Sequence, residues 1–592
     1  MPKLTKACNS SLTAATTALV FLAGCQSWRQ ESVETKVQRA LGSTSQKILA
    51  DPVASTRIPP GTYPKALTDS NRPATSLETS PGTRNPAASE LSYSPADEKR
   101  SLSERLRRYA ALEGLLIDET LTDTQAPDSS LRKISLTGAW QTAQSQGREI
   151  LNAEEDYVLA AIRLLLERHL WGPRLFNDTT FGVSGVGDGG SFDHTLNIIN
   201  QLRATQRLPY GGNVEAAWII NATDQLREQA TQSYRQSSRI ALSGQIPLLR
   251  GAGEVAREDL IQAERDLVYQ ARSFERFRRE HLVSIASDYF RLVQARQAIV
   301  NQQRQLASFR ALEKATAAKV AAGRLQAFDV GNAANRVQSA LAQLATLVDQ
   351  YIFRLERFKI RLGLPVDEPI AITGEIIDLP DPEADVAQAA ALGLEYRLDL
   401  QNERDQLDDA RRGVANAKNE LLPQLDLRGD VAIPTDPDDA TGGLAISADE
   451  LDYSAAATLS LPLDRERERL SLRAAMVNLQ KLVRSYEEAR DNVIVEVRDA
   501  LRSVDNNRTQ LSIAEKQVEI NRERLRGLQL QIDTIEPQDI IDAENDLLKA
   551  ENDRDSATTS LRNAVLEYLL ASDQLRVQRD GALQPLPGMT KP

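Results

Sequence analysis

Between Gly253 and Ala321 the chain runs without proline, and apolar residues recur at steps of three and four: Val283, Ala286, Phe290, Val293 and Val300, with Gln297 as the polar interruption. A second proline-free run, from Pro462 to Glu536, repeats the pattern with Ile494, Val497, Leu501 and Val504, then Leu511, Ala514, Val518 and Leu525. Such spacing predicts helices with one apolar seam, as in a coiled coil or a barrel of helices. A helix of about 70 residues extends roughly 100 Å, a length no globular domain needs. Each run turns back, one through Ala322-Gly323-Arg324 and the other through Thr534-Ile535-Glu536-Pro537. Second helices follow, ending near Leu364-Pro365 and near Leu575.

Short segments before the long helices alternate with period two. Leu425, Leu427, Val431 and Ile433 share one face, with Gln424, Asp426, Arg428 and Asp430 on the other. Leu451, Tyr453, Ala455, Ala457, Leu459 and Leu461 alternate with Asp452, Ser454, Thr458 and Ser460, and Ile240, Leu242, Ile246 and Leu248 with Ala241, Ser243 and Gln245. Each segment has about the 9–11 residues of a tilted membrane strand, with one face for lipid and one for water. A half-buried strand of a soluble sheet alternates in the same way. One chain offers too few strands to close a barrel, and an open edge cannot face lipid. Spanning strands would therefore require several copies in one barrel.

The pattern occurs twice. Gln245-Ile246-Pro247-Leu248-Leu249-Arg250 answers to Ser460-Leu461-Pro462-Leu463-Asp464-Arg465, 215 residues on, and Asp329, Val330, Ala333 and Asn335 answer to Asp539, Ile540, Ala543 and Asn545, 210 residues on. The fold expected is mostly α with a membrane β-barrel portion. Its two internal repeats of strands plus long antiparallel helices occupy residues 131–365 and 366–577.

Charge and composition narrow the function. Charged residues make up 26% of the chain and aromatic ones 5%, and the net charge is −12. Acidic and basic residues interleave as on solvated helix faces, which argues against phosphate-backbone binding. At the N-terminus Lys3 and Lys6 precede an apolar stretch, Ala14 to Leu22, and then Leu22-Ala23-Gly24-Cys25. That order resembles a bacterial lipoprotein signal over residues 1–24, with Cys25 as the lipid attachment site; a plain secretory signal would also mean export. Gln26, being non-acidic, resembles the outer-membrane sorting pattern. Residues 25–130 are rich in Pro, Ser, Thr and charge and read as a disordered linker holding a short helix near Ser101–Leu116, and residues 578–592 read as a disordered tail.

Over about residues 135–577 the sequence resembles the TolC-like outer-membrane efflux family, in a lipoprotein form. Leu242 to Gly253 resembles the family's strand-to-helix passage, and Ala321 to Gly363, with Gly323, Asp329 and Arg361-Leu362-Gly363-Leu364-Pro365, its first hairpin and return. Leu392 to Leu427, with Leu421-Leu422-Pro423, resembles the start of its second repeat. Pro247, Pro423 and Pro462 then mark the passages between strand and helix.

The resemblance implies a homotrimer building a shared α-barrel and β-barrel, a lipid-anchored channel of the outer membrane that extends into the periplasm. It also implies a passive exit duct for a tripartite efflux or type I secretion system, with a periplasmic adaptor and an inner-membrane pump as partners. Asp539 and Asp542 match the family's inward pair at the periplasmic gate and would form acidic rings; acids in a helix first turn are also favoured for local reasons. Gly323, Arg324, Glu536 and Pro537 would be the adaptor-contact hairpin tips. The second tip departs from the family in having Ile535-Glu536-Pro537 in place of glycine and arginine. Thr179 to Val186 and Val214 to Asn221, with Leu208 to Gly212 between them, predict six strands in place of the family's usual four.

Gly185, Gly187 and Gly190 fit a dinucleotide-binding spacing, but no βαβ unit surrounds them and a loop is expected. His169, His194 and His281 lack metal-ligand spacing, and no nucleophile elbow or P-loop occurs. No enzyme, cofactor or metal is expected. The alternatives to a channel are a lipid-anchored periplasmic coiled-coil scaffold and a structural envelope protein without transport activity.

Overall fold

A computed structural model describes residues 33–47, 132–188, 191–225, 234–374, 385–435, 448–531, 536–579 and 581. Two helices dominate it: α4, Glu258–Ala321, and α8, Glu466–Leu530, of 64 and 65 residues. At about 1.5 Å per residue each is nearly 100 Å long. Helix α5, Ala327–Leu362, returns along α4, and α9, Pro537–Ala571, returns along α8. The sequence places these four elements because the seam residues it singles out, including Val283, Ala286, Phe290, Val497, Leu501 and Val504, are buried in one continuous core.

Four shorter helices complete the helical body. α2 (Leu136–Gln146) and α3 (Arg148–Leu170) open the first repeat; α6 (Val386–Tyr396) and α7 (Leu398–Glu420) open the second. The members of each pair have 11 and 23 residues in both repeats. They break at Gly147 and Arg397, which share φ −63° and ψ 118°. The repeat is thus structural as well as textual. Short strands β1 (Arg132–Ile134) and β6 (Ile370–Ile372) pair in parallel and join the starts of the two repeats.

One antiparallel sheet of six strands crowns the helices. In chain order these are β2 (Arg174–Asp188), β3 (Ser191–Arg207), β4 (Asn213–Gln225), β5 (Tyr234–Pro247), β7 (Gln424–Pro434) and β8 (Asp452–Ser460), and they neighbour one another in that order. The helices beneath pack in the corresponding order: α3 on α4, α4 on α7, α7 on α8.

Three expectations need correction. Val33–Lys47, inside the span read as linker, is a helix, α1. Its Val37, Ala40 and Leu41 stand at i, i+3 and i+4 and are buried against Tyr157, Ala161, Leu164 and Leu267 of α3 and α4. Gly185 and Gly187, expected in a loop, lie within β2, paired with His194 and Phe192 of β3. The segment between the two anticipated extra strands is itself mostly the strand β3, so the total is still six. Cys25 and the residues read as a signal, Ser101–Leu116, the rest of the span read as linker, Gly190, Ile535 and most of the span read as a C-terminal tail lie outside the described residues.

Candidate functional site

The sheet register sorts the strand residues into two faces. Phe181 pairs with Ile198 and Val183 with Leu196. Leu202 pairs with Trp218, Trp218 with Ile240 and Ile240 with Ile433. Val431 pairs with Tyr453 and Leu425 with Leu459. Directly paired residues share a face, so these side chains form one apolar band across all six strands. The opposite face carries Asp178, Arg203, Glu215, Arg239, Arg428 and Asp430. There Arg203 pairs with Asp178 at 3.0 Å and Arg428 with Asp430 at 3.0 Å. On the apolar face Leu175 is 75% exposed, Phe181 71% and Tyr453 81%. Water would penalise such a band; hydrocarbon would not.

Strands pass to helices at stitched corners. Pro247 ends β5, Pro423 precedes β7, and Pro462 lies between β8 and α8. The Leu248 amide donates to the Leu425 carbonyl (2.7 Å) and that of Arg250 to the Pro423 carbonyl (3.3 Å). Arg465 donates to the carbonyls of Pro462 (3.1 Å) and Leu421 (3.0 Å). The Leu208–Gly212 turn docks on the same corner, where the Gly253 amide donates to the Tyr210 carbonyl at 3.0 Å. Gly212, at φ +86°, leaves no room for a Cβ, which would fall 1.9 Å from the Gln245 carbonyl oxygen.

At the far end the two hairpins turn back. Gly323 supplies the left-handed φ of +71°, and the Arg324 amide donates to the Lys319 carbonyl (2.9 Å). Gln326 and Asp329 then form a capping box that starts α5. Glu536 is the N-cap of α9 and Pro537 its first residue. Ile540 and Ile541 are buried, while Asp539 and Asp542 are exposed on the outside of the helix. Gln538 donates to Asp542 at 2.8 Å. The two aspartates therefore share a solvent-facing surface just beyond the turn.

A polar seam between the repeats was missed by sequence reasoning. Where α4 meets α9, Gln305 donates to Asn545 (2.9 Å), and Asn301 donates to Asn552 and Asp555 (3.0 Å each). The Ser308 hydroxyl donates to Glu544, and Arg304 and Arg522 both reach Glu551. Burial pushes the Glu544 carboxyl up, Ser308 pulls it down, and the nearby Glu551 charge raises it again. The signal was present: Gln297, Asn301, Gln305 and Ser308 make a polar stripe at helical spacing.

Above this seam sits a buried charge cluster. Glu275 accepts from Arg278 and Arg279, and these guanidiniums hold its carboxyl below the ordinary range despite burial. Arg279 also donates to Asp573, whose carboxyl burial pushes up to about 6 against the pull of Arg279. Arg278 reaches the Val577 carbonyl (2.9 Å), so the cluster fastens the C-terminal end of α9 to α4.

Residues 391–533 match the family model described as outer membrane efflux protein. The fold is similar to that of CusC, a protein described in terms of transmembrane channel formation, at TM-score 0.55 and 13% identity over 76% of this chain and 95% of that one. It is similar to the outer-membrane channel OprN at TM-score 0.56 and 16% identity, over 76% of this chain and 98% of that one. The open-state MtrE outer membrane channel of Neisseria gonorrhoeae gives TM-score 0.56 and 16% identity, over 74% and 88% of the two chains. No curated protein sequence matches the chain.

Proposed function

For a chain with an outer membrane efflux protein domain at residues 391–533 and the fold of outer-membrane channels, we infer that the protein is the passive exit duct of a tripartite efflux or type I secretion system. The observation that carries this reading is the apolar band across all six strands, borne on helices nearly 100 Å long. A tethered soluble scaffold would leave that band bare in water.

Closure supports a homotrimer. One flank of the protomer exposes Leu159 and Leu166 of α3, Phe328, Phe353 and Ile360 of α5, and strand β2; the other exposes Val477, Val495, Ile513 and Ile520 of α8, and β8. Different surfaces on opposite flanks suit a head-to-tail contact, which forms a ring when its rotation closes. Three copies would place twelve helices around one periplasmic bore.

The duct performs no chemistry; a pump supplies the energy and an adaptor couples the two. Gly323 and Arg324 present one hairpin tip for the adaptor, and Glu536 and Pro537 present the other. In a trimer Asp539 and Asp542 would ring the periplasmic mouth with negative charge, favouring cations. All four helices share the apolar core, and toward the hairpin tips α4 also meets α9 through the polar seam. Opening would break the seam and keep the apolar pairs. Cys25, acylated, would anchor the chain in the inner leaflet of the outer membrane.

Fractionation tests the reading. Detergent-dependent extraction of heat-resistant trimers from the outer membrane is expected, and a mature chain that stays monomeric and soluble in buffer would refute it.

A further inference from the structure

The first repeat is longer than the second by one hairpin. The kink residues Gly147 and Arg397 stand 250 apart and the corner prolines Pro247 and Pro462 stand 215 apart, so the first repeat holds 35 extra residues between kink and corner. The second repeat has two strands there, β7 and β8, and the first has four, β2 to β5. The extra hairpin is not folded aside. It continues the sheet in register, keeps the same apolar face, and takes its place at the edge as β2 and β3.

We propose that all six strands of each protomer enter the membrane wall, giving an eighteen-stranded barrel whose lumen admits hydrophilic macromolecular chains. This rests on the trimeric duct reading above and assigns its cargo class by size.

Polarity at the seam permits it. Strand directions alternate through the sheet, so β8 of one copy meets β2 of the next antiparallel, as every other pair in the sheet is. Neither edge strand carries lysine or proline, the residues that usually block edge pairing. The apolar residues Leu175, Phe181 and Val183 of β2 would continue the band from Tyr453, Ala455, Ala457 and Leu459 of β8. Neither edge can remain open in hydrocarbon.

Perimeters agree as well. Four helices per protomer, α3, α4, α7 and α8, stand directly beneath the strands. Twelve helices spaced 8–10 Å apart need roughly 100–120 Å of circumference. Eighteen strands about 4.8 Å apart and tilted by about 40° span about 110 Å, and twelve span about 75 Å. The wider barrel is about 36 Å across between backbones and, allowing for inward side chains, leaves a lumen of about 25 Å, against about 14 Å for twelve strands. The inward face is polar and mixed in charge, with Asp178, Arg203, Glu215, Arg239, Arg428 and Asp430, so it resists a hydrated polymer of either sign only weakly.

The test is a cryo-EM map of the mature trimer in lipid nanodiscs. A variant lacking residues 174–207, which leaves β4 as an edge of the right polarity to meet β8, provides the comparison. Polyethylene glycol about 20 Å across, added at the outer face in planar bilayers, probes the lumen. Eighteen strands in the map, with polymer entering the wild-type barrel and excluded by the variant, is the expected result. Twelve strands, with β2 and β3 outside the wall, would overturn the wide barrel and leave the duct intact. Absence of any membrane barrel would overturn both. The wild-type strand count decides whether or not the variant assembles.

Discussion

The Nη1 of Arg279 on α4 donates to Oδ2 of Asp573, 2.6 Å away, and both side chains are buried, 294 positions apart in sequence. The contact locks the base of the second repeat's return helix to the first repeat's long helix. Asp573 also holds a left-handed φ of 58°, alone among the described non-glycine residues. Replacing Asp573 with alanine leaves a buried guanidinium short of a partner, a change that costs about 3–5 kcal/mol. The expected outcome is a lowered unfolding midpoint by circular dichroism, partly restored when Arg279→Met is added.

The same carboxyl gives a pH signature. Its pKa is raised to about 6 in the folded protein, above the roughly 3.9 of an unfolded aspartate. The folded state binds more protons in between, so this group's contribution is largest below about pH 4 and declines as pH rises toward 6. Asp573→Asn should remove that slope from the midpoint-against-pH curve.

Glu544 follows the same sign in the α4–α9 seam. Its folded pKa is raised by burial, so protonation favours the closed α4–α9 contact and rising pH loosens it. Glu544→Gln should tighten the seam at neutral pH and flatten the pH dependence of channel opening, measured as open probability in a bilayer.

Two glycines with left-handed φ should differ. At Gly363, φ +79°, an added Cβ would lie 2.0 Å from the Gln146 carbonyl oxygen; at Gly323, φ +71°, it would meet nothing within 4 Å. Gly323→Ala should cost only the conformational penalty, about 1–2 kcal/mol. Gly363→Ala should cost clearly more, because backbone must move, and thermal melts of the two variants will rank them.

Adjacent positions on β3 test the faces. Asn197 belongs to the polar face and Ile198 to the apolar one. In a lipid barrel Ile198→Arg should cost about 2–4 kcal/mol near the bilayer midplane, and Asn197→Arg little. Urea unfolding in vesicles distinguishes them, and equal costs would argue against the assigned inside and outside.

Much of this architecture was legible from pattern alone. Seam residues such as Val497 and Leu501 step by three and four over long proline-free runs, so α4 and α8 could be read with their turns. Strand alternation was equally plain where both faces were consistent, as in β7 and β8. It failed for β3, where Asn200 interrupts the apolar face, Ile199 interrupts the polar one, and the register is set by neighbouring strands. Helix α1 was hidden because its apolar stripe is only three residues deep in a polar window. The polar seam escaped because Asn301 and Glu544 resemble solvated helix residues until α4 and α9 are brought together.

The most direct test of the duct is single-channel conductance of the mature protein in a planar bilayer, beside the Asp539→Ala/Asp542→Ala double variant. Cation-selective conductance is expected in the wild type, with loss of that selectivity in the variant. Well-folded trimers that conduct no ions, even with the hairpin tips loosened, would contradict it.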